Sequence, residues 1–217
     1  MKGFVIVTID GPAGTGKTTI ARKLAERLHF SYFDTGAMYR AVTYGVTKNR
    51  IALDNREELT AFLKSFQFSI RERRYFVAEE DVTEIIRSQE ITQKVSEVSA
   101  LGEVREAMMG LQREFAKKAH AVFEGRDMGT VVFPQAEKKI FLTARPAVRA
   151  ERRYLELKAS DKPADQETVF DELMVRDHID SNRELAPLKP ASDAHIVDTS
   201  DLSIDEVVDQ ILAIVKK

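Results

Sequence analysis

Five short segments of the chain are dominated by apolar, partly β-branched residues: FVIVTID (4–10), SYFDT (31–35), AVFEGR (121–126), KIFLTA (139–144) and AHIVDT (194–199). Helical patterns separate them. Short strands that are apolar on both faces and alternate with helices belong to a parallel sheet covered on both sides, so the pattern predicts an α/β fold with five parallel strands. After the first strand, Ile20, Leu24 and Leu28 recur at four-residue steps and predict a helix. Near the end of the chain Ser203 and Glu206 form a capping-box pair. Ile204, Val207, Val208, Ile211, Leu212 and Val215 follow at helical spacing and read as a core stripe.

Between about residues 54 and 86 the alternation breaks. FQFSI alternates apolar and polar residues, RERR reads as a charged turn, and YFVAEEDV resumes strand character, which predicts a small antiparallel sheet. Two helices are expected next, over Thr83–Leu101 and Glu103–Ala119, with Gly102 as the break. KASDKPADQ is the polar, Pro-containing loop expected to move.

The 217 residues suit one domain, or one domain with an insertion. A 43% apolar and 31% charged composition is that of a soluble globular protein, and a net charge of −2 gives no global attraction to a nucleic-acid polymer or an anionic membrane. Cysteine is absent, which excludes thiolate chemistry, Cys-based zinc sites and disulfides. The apolar run at the amino terminus is too short for a signal peptide, and no segment reaches transmembrane length, so a cytoplasmic location is expected. The four histidines show no metal-binding spacing.

Gly11, Gly16, Lys17 and Thr18 match G-x-x-x-x-G-K-[ST], with a strand before and a helix after. Glycines let backbone N–H groups converge on phosphate oxygens, Lys17 adds a cation, and Thr18 offers a hydroxyl to Mg²⁺. The loop Gly11, Pro12, Ala13, Gly14, Thr15, Gly16, Lys17, Thr18, Thr19 is therefore expected to hold a nucleoside triphosphate. A carboxylate partner for the metal is not evident: no strand reads as ending in a buried aspartate of the usual kind, and Asp34 stands as a candidate.

Cations recur elsewhere. TARPAVRAERRY carries Arg145, Arg149, Arg152 and Arg153; the last three share a helix face, with only Glu151 as a local counter-charge. Arg176, Asp180 and Arg183 also share a face, as an ordinary salt-bridge ladder would. Arg126 and Asp127 follow a buried strand between Gly125 and Gly129, a poor structural choice for a polar pair. Asp34, Thr35 and Arg40 follow the second strand. So many cations exceed what one triphosphate needs, and a second phosphate-bearing ligand is the economical reading. An alcohol acceptor needs a carboxylate base, whereas a phosphate acceptor is already anionic. The arginine-rich set leans to phosphate, although Asp34 or Asp127 could serve as a base.

IDGPAGTGKTT, DTGAMYR, EGRDMGTVVFP and RDHIDSNRELAPLKPA together closely resemble bacterial cytidylate kinases over essentially the whole chain. The resemblance implies transfer of the ATP γ-phosphoryl group to CMP or dCMP with Mg²⁺. No unexplained apolar stripe is left over along the chain, so a monomer is expected. It implies a P-loop core (about 1–40, 102–145 and 185–217), a nucleotide-monophosphate-binding insert with a small antiparallel sheet (about 41–101), and a helical lid (about 146–184). It places Thr35, Arg40, Arg126 and Arg183 on the acceptor phosphate; Ser96, Arg105 and Asp127 on cytosine; and Arg176 and Asp180 on the ribose. Arg149 and Arg153 would close over the transferring phosphate with Lys17. Ser99 lies close enough to Ser96 to compete for its role. A kinase for a small alcohol such as shikimate, and a nucleotide switch, are the rival readings; the switch would want an N/T-K-x-D motif that the chain lacks.

Overall fold

The computed structural model describes residues 4–159 and 164–216. Strands β1 (Ile6–Asp10) and β2 (Ser31–Asp34) flank helix α1 (Lys17–Leu28), and α2 (Thr35–Lys48) and α3 (Arg56–Ser65) follow. Next come β3 (Phe68–Arg71), β4 (Arg74–Val77), β5 (Glu80–Asp81), α4 (Gln89–Ala100) and α5 (Gly102–Ala116). The chain closes with β6 (Ala121–Gly125), β7 (Lys138–Thr143), α6 (Pro146–Ala159), α7 (Gln166–Asn182), β8 (His195–Asp198) and α8 (Ile204–Val215).

The chain forms two compact units: one up to Phe33 and from Phe115 onward, the other Asp34–Glu114. The larger unit is built on the parallel sheet, in the order β2-β6-β1-β7-β8. All five predicted strands are there. β1 lies between β6 and β7, is buried along its whole length, and places Asp10 opposite Gly125 and Phe141. Ile20, Ala21 and Leu24 of α1 and Val207, Val208, Ile211 and Leu212 of α8 pack on Val7, Ile9, Val122, Ile140, Leu142 and Val197. This is most of the stripe read from periodicity; Leu28 and Val215 are only partly buried against it, and Ile204, expected in the core, is exposed at the start of α8. Ser203 accepts from the Glu206 amide, and the Glu206 carboxylate accepts from Ser203, which completes the capping box. Elsewhere in the unit Phe33 stacks between Phe115 and Phe123, at 5.1 and 4.7 Å, and Phe133 adds a ring at 4.6 Å from Phe123.

The smaller unit holds the expected antiparallel sheet β3-β4-β5. Glu72 and Arg73 take left-handed φ of 49° and 66°, so RERR is the tight turn; Ala78, at φ 51°, breaks YFVAEEDV into two strands. Two outcomes differ from the sequence reading. The stretch expected as one helix over Thr83–Leu101 is a 3₁₀ turn (Ile85–Arg87) followed by α4, because the Ser88 hydroxyl accepts from the Ile91 amide and starts a new helix. Helix α3 was not expected: Asn55 caps it and Leu59 buries its one inward position. The unit also extends beyond the 41–101 read for the insert, since α2 and α5 join it. The lid range 146–184 comprises α6 and α7 of the larger unit, and four residues of the KASDKPADQ loop, 160–163, lie outside the described residues.

Candidate active site

Gly11, Gly14 and Gly16 have φ of 146°, 76° and 85°, which folds the loop between β1 and α1 as side chains with a Cβ rarely allow. The loop is seated tightly. A Cβ on Gly11 would lie 2.2 Å from the Leu142 carbonyl oxygen, and one on Gly14 would lie 2.7 Å from the Arg149 oxygen. Gly16 caps α1, whose first turn presents Lys17, Thr18 and Thr19. The buried Lys17 ammonium donates to Pro12 O at 2.5 Å. Burial first, and the Arg126 charge second, hold Lys17 well below its ordinary range. An anion bound here would find a cation already stripped of water.

Beside the loop, the Glu124 carboxylate accepts from Thr18 Oγ1 at 3.2 Å and from Tyr32 Oη at 2.5 Å. Glu124 is 3% exposed and is the penultimate residue of β6. The sequence reading missed it. Its signal was an acidic residue inside an otherwise apolar strand, next to the strand that feeds the loop. Asp34, the candidate held open for the metal, uses one oxygen to cap α2 on the Ala37 amide and faces Arg87 with the other, at 3.4 Å. A hydroxyl and a carboxylate side by side form an oxygen donor set that fits Mg²⁺, a hard cation bound through few protein ligands. Among the described residues there is no cage of three or more acidic or His side chains.

The second cluster lies at the end of β6. Arg126 Nε donates to Asp180 Oδ2 at 2.9 Å, Arg183 Nη1 lies 3.7 Å from Asp180 Oδ1, and Arg183 Nη2 lies 3.8 Å from Asp127 Oδ1. Asp127 and Asp180 are both buried. Burial pushes the Asp180 carboxyl up, but Arg126, Arg176 and Arg183 together outweigh it and hold Asp180 below its ordinary range. The ladder does not stay within one helix: Arg183, at the extended carboxyl cap of α7, keeps its i,i+3 pair with Asp180, but Asp180 also accepts a hydrogen bond from Arg126, just past the end of β6. Ala186, at φ 51°, turns the chain so that its carbonyl accepts from Arg183 Nε at 2.6 Å.

Arg126 and Asp127 lead directly into a short π-helix, Met128–Val132, with Asp127 at its amino cap, which the sequence did not suggest. It closes through Val132 N donating to Asp127 O and Phe133 N donating to Met128 O. Its first amides bond Asp10. Met128 N donates to Asp10 Oδ1 at 2.9 Å and Gly129 N to Oδ2 at 2.7 Å. Burial, countered by these two bonds, raises the Asp10 pKa to about 6; Asp127 adds to the rise and Lys17 opposes it.

The arginines in and just before α6 do not act as one face: Arg149 and Arg145 find their counter-charges elsewhere in the chain, at Asp177 and Asp201, and Arg153 finds its own within α6, at Glu156. Arg149 is 5% exposed; its Nε donates to Ala144 O at 3.0 Å, and its Nη1 to Ala13 O at 3.2 Å and to Asp177. Arg152 donates to Thr199 O and Oγ1, and Thr199 in turn donates to Thr15 O of the loop. Arg145 is paired with Asp201, and Arg153 points to Glu156.

In the smaller unit Thr35 is buried at the start of α2, and Arg40 Nη1 donates to Thr92 Oγ1 at 2.8 Å. Arg105 lies over the Tyr39 ring at 5.5 Å and donates to Ser99 O. Ser99 Oγ donates to Ser96 O, so the neighbour that competed with Ser96 is engaged in its own helix end.

A family model described as cytidylate kinase matches residues 7–217. The cytidylate kinase of Protochlamydia amoebophila (strain UWE25) is 55% identical over 216 residues, covering 96% of this chain and 95% of the relative. That of Geobacillus sp. (strain WCH70) is 48% identical, covering 100% and 99%. Among solved structures, shikimate kinase from Bacteroides thetaiotaomicron superposes with a TM-score of 0.54 at 12% identity, covering 98% of this chain and 99% of that one; this likeness concerns the fold alone.

Proposed function

The chain belongs to the cytidylate kinase family, and on that premise we propose that it transfers the γ-phosphoryl group of ATP to CMP and dCMP in one in-line step. The observation that carries the acceptor assignment is the cluster of half-buried Arg126 and Arg183 with buried Asp127 and Asp180: two guanidiniums and two carboxylates outside the triphosphate loop. Arginine forks suit a phosphate with two negative charges, and a buried carboxylate suits an exocyclic amine.

The loop Gly11–Thr19 holds ATP, with Lys17 on the transferring phosphate. Thr18 and Glu124 hold Mg²⁺, which when bound neutralises phosphate charge. Arg126 and Arg183 orient the acceptor phosphate, together with Thr35 and Arg40. Asp127, with Ser96 and Arg105, reads cytosine; uracil would set a carbonyl where the amine belongs and leave acceptors unpaired, a mismatch that discriminates strongly. Arg176 and Asp180 address the ribose. Arg149 reaches the loop carbonyl of Ala13 and sits where it steadies the donor, and Arg153 completes the closure of the lid segment over the reacting groups. The acceptor oxygen is already anionic, so no general base is required. Asp10, whose two oxygens both accept amide N–H groups, is poorly placed to be one. The reading includes a cytoplasmic monomer; no described helix is long and apolar enough to cross a membrane.

A coupled ADP-release assay tests it with ATP, Mg²⁺ and CMP, dCMP, UMP, AMP or shikimate in turn. CMP and dCMP should dominate. Turnover with CMP no higher than with water alone would end the proposal.

A further inference from the structure

We propose that Asp10 is a positioning residue of the phosphoryl transfer: its carboxylate fixes the turn carrying Arg126 and Asp127 against the start of the phosphate loop. The inference rests on the acceptor roles given above to Arg126 and Asp127. Asp10 ends β1 and is followed directly by Gly11, so its backbone is continuous with the donor loop. Its side chain crosses to the neighbouring turn and takes Met128 N on one oxygen and Gly129 N on the other. Two bonds from two consecutive amides fix the orientation of the turn as well as its distance. Asp127 immediately precedes those amides, and Arg126 precedes Asp127.

The fit around the turn is tight for a reason that concerns Gly129. A Cβ there would lie 3.0 Å from Thr8 Oγ1 on β1 and 3.3 Å from the Lys139 side chain on β7. A glycine lets the turn settle low enough for its amide to reach Asp10.

Asp10 is 4% exposed and both oxygens are engaged, so it is withdrawn from substrate. Placing a carboxylate there is expensive: burial raises its pKa to about 6. An apolar side chain would fill the space more cheaply, but it would leave two buried amides unpaired and the turn free to rotate. The charge is kept where it sets geometry between donor loop and acceptor turn.

The test is steady-state kinetics of Asp10→Asn with ATP and CMP varied separately, and with UMP as the competing acceptor. Asparagine keeps the shape but accepts through one oxygen and sets its NH₂ against the second amide. Losing one such bond is worth roughly tenfold. The KM for CMP should rise about tenfold and CMP-over-UMP preference should fall about tenfold, while the KM for ATP stays within about twofold. A merely structural role would lower the melting temperature and leave the CMP-to-ATP KM ratio and the base preference unchanged; that result overturns the proposal.

Gly129→Ala, which lifts the same turn without touching Asp10, should give the same split, and it decides the question if Asp10→Asn does not fold. Arg126→Ala separates the two levels of the argument. If Arg126→Ala leaves CMP kinetics intact, the acceptor assignment fails and takes the Asp10 proposal with it. If Arg126→Ala is impaired in CMP use and both turn variants behave as wild type, only the Asp10 proposal fails.

Discussion

Gly14→Ala places one methyl group where the phosphate loop meets α6. At Gly14 the φ of 76° lies in the left-handed region, and an added Cβ would sit 2.7 Å from Arg149 O, 2.9 Å from Arg149 Cβ and 3.1 Å from Arg149 Cα. None of these is the far end of a flexible side chain. Alanine in the left-handed region costs about 1–2 kcal/mol. Overpacking against atoms that cannot retreat costs about 1–3 kcal/mol more. The loop must lift away from α6, which also stretches the bond of 3.2 Å from Arg149 Nη1 to Ala13 O. With about 1.4 kcal/mol per factor of ten, kcat/KM for ATP should fall by roughly two to three powers of ten.

The assay varies ATP at saturating CMP, with a thermal melt to separate lost stability from lost binding. Gly110→Ala serves as the control. Nothing lies within 4 Å of a Cβ at this position in α5, so alanine should change no kinetic constant and should stabilise by about 0.5–1 kcal/mol. If Gly14→Ala kept kcat/KM for ATP within about threefold of wild type with an unchanged melting temperature, the assignment of this loop to the donor would be refuted.

Three further outcomes are expected. Glu124→Gln leaves Thr18 and Tyr32 competing for one acceptor oxygen; half-saturating Mg²⁺ should rise about 10–100-fold, and Mn²⁺ binding followed by EPR should weaken in parallel. An unchanged Mg²⁺ titration would remove Glu124 from the metal's surroundings. Asp10 has a folded pKa of about 6 against 3.8 for the free group, so its contribution to stability is fully present below pH 3.8 and lost as pH rises through about 6. Urea unfolding in chelator should show wild type losing about 3 kcal/mol relative to Asp10→Asn across that window, and a flat difference would contradict the burial described. Arg149→Lys keeps the charge but cannot hold Ala144 O, Ala13 O and Asp177 at once; kcat should drop at least about tenfold, and full activity would show that the fork is dispensable.

What the sequence disclosed and what it withheld divide along physical lines. Strands β1, β6 and β7 and helix α8 were legible because their apolar periodicity is the same thing as their burial. The loop was legible because glycine, lysine and threonine at fixed spacing answer to one chemistry. Helix α3 was not, since only Leu59 among its residues is buried and a helix with one inward position has no stripe to find.

The partners of the arginines were hidden for another reason. Asp180 meets Arg126 across 54 positions and Arg152 meets Thr199 across 47, so helical spacing within α6 or α7 says nothing about them. Asp10 and Glu124 read as strand residues because each is a single acidic residue at or next to the end of an apolar run. Their role became visible only once β1 and β6 were paired and their carboxylates met hydroxyls and amides from elsewhere.

The stack of Phe33 on Phe115 has a consequence for how the chain folds. These rings stand at the two points where the chain leaves and re-enters the larger unit, and they lie 5.1 Å apart. While Asp34–Glu114 is unfolded, bringing those points together means closing a loop of about 80 residues, at an entropic cost of about 4 kcal/mol. A segment that has already folded with its ends side by side presents a much shorter gap. The larger unit, split into two pieces by the smaller one, therefore gains most if Asp34–Glu114 folds first. Weakening the smaller unit's own packing should then slow formation of a sheet that contains none of its mutated residues.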